Sequence, residues 1–154
     1  MPADSSQPNT PNGISIDFRA LPWSSRFAND YCHEFSRLQE FFVADPKQPD
    51  SWKTVIDVRR AKPTDPRIGE TVVQQLQERG APDAALSNAK QLLNKKSVAI
   101  ATGQQAGLFG GPLFTVLKAL TTIKLARQVS ADHDIPVVPI FWIDAEDHDL
   151  DEIS

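Results

Sequence analysis

The sequence predicts an α/β fold, a parallel βαβ core preceded by N-terminal helices, and three observations carry that prediction. SVAIAT (97–102) and PVVPIFWI (136–143) are short apolar runs rich in β-branched residues, which read as buried strands. The residues between them, 112–130, return to helical spacing, with Leu113, Val116, Leu117, Leu120, Ile123 and Val129 expected to form one apolar face. Upstream of residue 97 the apolar residues recur at intervals of three and four instead of two. Strand, helix, strand in that order demands parallel pairing through a crossover.

The elements follow in order. Residues 1–13 are rich in Pro, Ser, Asn and Gln and read as a disordered tail. A first helix is predicted over 25–43, because Phe27, Tyr31, Phe35, Leu38 and Phe42 make one stripe, and Asp45-Pro46 ends it. Four prolines at 46, 49, 63 and 66 punctuate the next stretch around a short helical piece near 51–60. A third helix is expected at 67–79, closed by Gly80. A fourth runs over 83–94, with Asp83 as N-cap after Pro82. Pro112 fits the first position of the helix that leads to the second strand. The segments then divide as a tail (1–13), a helical part (14–96) and the start of the βαβ core (97–154). The chain stops at DLDEIS, just beyond a strand, and reads as the N-terminal part of something longer.

Composition bounds the function. The 154 residues are 40% hydrophobic, enough for one core, and carry 20 acidic and 16 basic side chains for a net charge of -4. That balance lacks the basic stripe that nucleic-acid binding uses. No apolar run reaches the roughly 18–20 residues of a bilayer span. A single cysteine, Cys32, forms no internal disulfide, so a cytoplasmic setting is expected.

Two loops could carry chemistry. In TGQQAGLFGGPLFTVLK (102–118), four of the chain's 7 glycines, Gly103, Gly107, Gly110 and Gly111, fall just before a helix start. Such a junction favours anions through unpaired N–H groups and the helix dipole. The loop fits neither GxxxxGK[ST] nor GxGxxG, so neither standard nucleotide fingerprint is present. Gln104 and Gln105 supply amides suited to sugar hydroxyls or other neutral polar groups. Lys118, under two turns into the helix, could reach back toward an anion held there, or simply be solvated. The second loop, DAEDHDLDE (144–152), holds six carboxylates and one histidine. Asp149, Asp151 and Glu152 suit an acidic first turn of a following helix. Glu146, Asp147 and His148 come earlier and suit acid–base chemistry or recognition of an amine better than a metal, because only one ligand is not a carboxylate. Trp142, at a strand end, could stack on a ligand, although a core role is the more ordinary one. Both loops follow parallel strands and so share the carboxyl edge, where open α/β sheets bind ligands.

The segments TGQQAGLFGGPLFTVLKALTTIKLA (102–126) and PVVPIFWIDAEDHDLDEI (136–153) closely resemble the BshC family, the cysteine-adding ligases of bacillithiol biosynthesis. The resemblance covers about the first third of such a protein. It implies a Rossmann-type core, a later helical coiled coil used for homodimerisation outside this chain, and a reaction joining cysteine to glucosaminyl-malate by an amide bond. ATP is expected from the ligase class alone. The residues carried over are Gly103 to Gly111 and Lys118, then Glu146 to Asp149. By analogy with nucleotidylyltransferase folds, Phe109 and Pro112 stand where an HxGH-like motif carries histidines, and neither can stabilise phosphate charge.

The sites expected are therefore catalytic His148, Asp147 and Glu146, with Gly103, Gln104, Gln105, Gly110, Gly111, Lys118, Asp149 and Trp142 binding substrate and no metal. Two other readings compete with the ligase. One is a metal-dependent hydrolase using the acidic loop 144–152. The other is a non-catalytic module that binds a sugar or phosphorylated metabolite.

Overall fold

The structure is a computed structural model that describes residues 16–62 and 65–144. The chain divides into two compact units, one up to Asp45 and one from Pro46 onward.

Among the described residues of the first unit one α-helix, α1, spans Arg26–His33. Ser25 caps it, its hydroxyl accepting from the Ala28 N–H at 3.1 Å. The predicted single helix over 25–43 is not what forms. α1 stops at Glu34 (φ -135°, ψ 50°), and two short 3₁₀ turns follow, Phe35–Arg37 and Gln39–Phe41. The aromatic stripe explains why. In one straight helix Phe27 and Phe42 would lie about 22 Å apart along the axis. Here the chain doubles back and their ring centroids are 6.4 Å apart, with Tyr31–Phe42 at 5.3 Å and Phe35–Phe42 at 5.5 Å. Clustering four rings buries more apolar area than a straight stripe could alone. Charges hold the break: the buried Asp30 carboxylate accepts from Arg37 Nη1 at 3.1 Å, and Arg37 Nη2 pairs with Glu34 at 2.6 Å.

The second unit opens with α2 (Ser51–Arg60), α3 (Pro66–Glu78) and α4 (Asp83–Lys90). Asp65 caps α3, accepting from the Arg67 N–H at 2.9 Å, and Pro66 sits in the first turn. Gly80 closes α3 as expected: at φ 64° its N–H reaches Gln77 O, while the Ala81 N–H reaches Leu76 O. That pair of bonds is a Schellman ending. α4 is shorter than predicted, giving way to a 3₁₀ turn at Gln91–Leu93, and Pro82 rather than Asp83 is its cap. Asp83 is instead the first helical residue, where its charge suits the dipole.

The Arg67 side chain, and then its backbone N–H, hold the Asp65 carboxyl below its ordinary value. A lowered folded-state value stabilises above the unfolded value and is lost as pH falls through the folded one. Asp65→Ala should therefore lower the thermal midpoint slightly near neutrality, and the gap to the parent should close in acid. A gap that is constant with pH would show the carboxylate charge to be irrelevant.

β1 (Val98–Gln105), α5 (Leu113–His133) and β2 (Val137–Asp144) form the predicted unit. The strands pair in parallel, from Val98 opposite Val137 to Gln105 opposite Asp144. Ile56 of α2, Ala126 and Val129 of α5 and Val137 of β2 form the core, with Trp52, Val98, Ile100, Leu125 and Ile135 packed around them. Asp134, left-handed at φ 49°, ends α5, and the Ser130 hydroxyl donates to Ile135 O at 2.6 Å across the turn into β2.

Three expectations for this unit need correction. β1 runs on to Gln105, so Gly103, Gln104 and Gln105 are strand residues and not loop. Their backbone has ladder partners waiting on β2, and that outweighs the low strand propensity of Gly and Gln. Pro112 precedes the helix as its cap, at φ -67° and ψ 161°. The third correction is the face of α5. Thr122, Ala126 and Val129 are its buried residues, whereas Leu113, Val116, Leu117 and Leu120 are 74%, 51%, 54% and 58% exposed. At about 100° per residue these two sets lie on opposite sides of the helix. Small side chains let α5 approach the sheet closely, and the large apolar stripe faces away.

Candidate functional site at the carboxyl edge of the strand pair

The sheet-facing stripe of α5 continues toward its N-terminus as Thr122, Lys118 and Thr115, each three or four residues from the next. The stripe thus changes from apolar to polar as it nears the carboxyl ends of the strands. Lys118 is half-buried there, not solvated. Its ammonium donates to Gln104 Oε1 at 2.9 Å and to Gly103 O at 3.3 Å, and it lies 5.0 Å from the Phe114 ring centroid. The Gln104 amide nitrogen in turn donates to Gln105 Oε1 at 3.1 Å. One turn further, the Thr122 hydroxyl donates to Lys118 O at 2.9 Å. Sequence reasoning aimed Lys118 at an anion in the loop; the structure turns it onto the end of β1.

Register explains Gly103. It lies opposite Trp142, and a Cβ built on it would sit 2.9 Å from Trp142 O and 3.2 Å from Trp142 Cβ. Only a residue without a side chain lets the strands approach here. Trp142 itself is 68% exposed, so the core role does not hold and its ring stands open beside the strand end.

The loop between β1 and α5 is folded tightly on itself. A 3₁₀ turn covers Leu108–Gly110, with the Gly110 N–H donating to Gly107 O at 3.3 Å. Phe109, Gly110 and Gly111 all have positive φ, at 54°, 89° and 81°. For Phe109 that is a strained conformation, and its side chain is fully exposed at the apex. Gly111 faces Thr115, whose Oγ1 is buried without a hydrogen-bond partner among the described residues. Thr115 was not expected at the site. Its place three residues before Lys118 and seven before Thr122, on one helical face, was the available signal.

The two strands end side by side. Gln105 and Asp144 are the last register pair, and the Ala106 N–H donates to Asp144 O at 3.2 Å. Glu146, Asp147, His148 and Asp149 lie outside the described residues. Two cavities in this unit, of about 1080 and 810 Å³, lie elsewhere. The first is bounded by Trp52, Ile56, Gly69 and Leu93 and the second by Leu76, Ala89, Ala126 and Val138. Gln104, Lys118 and Trp142 line neither. Among the described residues no helix is long and apolar enough to cross a membrane.

The chain has relatives. A family model described as "Bacillithiol biosynthesis BshC, N-terminal Rossmann-like domain" matches residues 14–154. A relative from Halalkalibacterium halodurans named "Putative cysteine ligase BshC" is 37% identical over 142 residues, 92% of this chain and 26% of the relative. A protein of the same name from Salinibacter ruber is 33% identical over 126 residues, 81% of this chain and 23% of the relative. A third, from Symbiobacterium thermophilum, is 52% identical over 75 residues, 49% of this chain and 14% of the relative. The chain spans about a quarter of the length of the first two.

Proposed function

Because this chain belongs to the BshC family, with that family's Rossmann-like domain over residues 14–154, we propose that it forms the substrate edge of a bacillithiol-pathway ligase that joins cysteine to glucosaminyl-malate. The observation that carries this reading is the terminal register pair: Gln105 opposite Asp144 starts both signature loops from adjacent backbone. A polar cluster lies at one strand end, and in the sequence Glu-Asp-His-Asp begins two residues beyond the other.

In this reading Gln104, Gln105, Gly110, Gly111 and the start of α5 hold the malate carboxylates and sugar hydroxyls. Trp142 gives the sugar an apolar face, and Asp149 adds a hydrogen-bond acceptor. Glu146 and Asp147 orient His148, and His148 takes the proton that the glucosamine amine must lose before attacking the activated cysteine carboxyl. The new C–N bond forms as the activating group departs from that carboxyl carbon; the first proton stays with the imidazole, and the second, lost from the nitrogen as the amide forms, leaves with the activating group.

The ligase class implies ATP, but the described residues do not make a triphosphate grip. The loop has no Walker or dinucleotide spacing, Phe109 and Pro112 carry no charge, and Lys118 is turned onto Gln104 and Gly103. No step is assigned to ATP at this edge.

A full-length family member carrying this sequence, incubated with glucosaminyl-malate, cysteine and ATP, should yield the cysteinyl amide, detected by mass spectrometry. Absence of that mass under every nucleotide condition would overturn the proposal.

A further inference from the structure

We infer that Lys118 is a positioning residue: it holds the side-chain amide of Gln104 by its oxygen and leaves the NH₂ as the end that meets a ligand, so that the end of β1 selects an acceptor oxygen, a carboxylate above all, over an ammonium. The inference rests on the substrate edge proposed above and adds the polarity of the group that binds there.

An amide side chain is ambiguous in itself, since its oxygen and nitrogen ends have nearly the same shape. Lysine removes the ambiguity, because an ammonium has three donors and no acceptor. The atom of Gln104 that lies 2.9 Å from Lys118 Nζ must therefore be the oxygen. Turning the amide over would set NH₂ against NH₃⁺, losing a charge-assisted hydrogen bond and adding repulsion. With the oxygen held, the Gln104 nitrogen is the end turned away from Lys118. It carries two hydrogens, of which one goes to Gln105 Oε1 at 3.1 Å. The other hydrogen is not used in that bond. The positive charge on the amide oxygen also polarises the amide and makes that N–H a stronger donor.

Lys118 is itself well fixed for this task. It bonds Gly103 O in the same strand, packs over Phe114, and sits on the helix face that meets the sheet. The strand end thus offers a directed N–H with a cation behind it. A carboxylate satisfies both. An ammonium satisfies neither, and would meet a second positive charge.

The test follows the ¹⁵N-labelled chain by NMR through the Gln104 side-chain NH₂ signals, with L-malate as the probe and malamide as its uncharged counterpart. L-malate should shift the Gln104 NH₂ signals and bind more tightly than malamide. Lys118→Met and Gln104→Met should each weaken malate about tenfold, the scale of one hydrogen bond to a charged group. Lys118→Arg, also donor-only, should stay within about threefold of the parent. Thermal midpoints should change little, and Lys118→Gln replaces the Met variant if that one fails to fold. If Gln104→Met binds malate like the parent, Lys118 contacts the anion directly and the inference falls. It falls equally if the Gln104 NH₂ signals are the same in the parent and in Lys118→Met. Signals that depend on Lys118 in a chain that ignores malate would uphold the lock and sink the substrate reading of the preceding subsection.

Discussion

Gly103→Val is expected to cost this unit about 3 kcal/mol or more, a large part of the roughly 5–15 kcal/mol that holds a domain together. The reason is position and not backbone conformation. Gly103 is a strand residue opposite Trp142, and any Cβ there meets the Trp142 carbonyl oxygen at 2.9 Å. That oxygen belongs to the neighbouring strand's backbone, so it cannot rotate aside as a flexible side chain would. The strands must separate, and Gln104 and Gln105 move with them. Gly110 makes the informative comparison. It has φ 89° but nothing within 4 Å of where a Cβ would go, so Gly110→Ala pays only for a left-handed alanine, about 1–2 kcal/mol. Urea unfolding of both variants should rank Gly103→Val well below Gly110→Ala. Equal losses would mean that the close approach of β1 to β2 is unimportant.

The βαβ unit was legible because its signals are local and redundant. Two β-branched runs, a glycine-rich turn and a long helical period all agree with one topology. The parallel register then brings the two loop starts together by geometry alone. Several features depended on contacts that a local reading does not contain. The 25–43 segment has a faultless helical stripe, yet four rings and the Asp30–Arg37 pair stabilise a chain that folds back after Glu34. The glutamines after Gly103 look like loop residues until β2 supplies their ladder. On α5 the larger hydrophobes dominated the periodicity, while the smaller Thr122 and Ala126 make the contact with the sheet. Tertiary packing rewards fit as well as hydrophobicity, and a small residue on the right face allows the closer approach.

The same property hid the role of Lys118. Read along the sequence, a lysine near a helix start and a glycine loop suggests an anion ligand. Read on the helix surface, it belongs to the face of Thr115 and Thr122, which meets the strands. Its nearest partners are therefore two oxygens of β1. A helical wheel centred on the small residues would have found this.

Under the ligase reading proposed above, His148→Ala is expected to lower turnover by about 100-fold or more, the usual worth of a positioned general base. A protonated glucosamine amine has no lone pair, so one proton must leave before the C–N bond can form. A neutral imidazole carries a ring-nitrogen lone pair that can accept that proton. Carboxylates beside it favour the imidazolium that results, which is how Glu146 and Asp147 would serve. The alanine variant should also lose whatever part of the parent's pH dependence the base contributes. The dissociation constant for glucosaminyl-malate should change little, because a base acts on the reacting proton and not on the carboxylates held at the end of β1. Loss of binding with a preserved pH profile would make His148 a substrate ligand. A near-parental rate would leave the amine to lose its proton to solvent or to the neighbouring carboxylates.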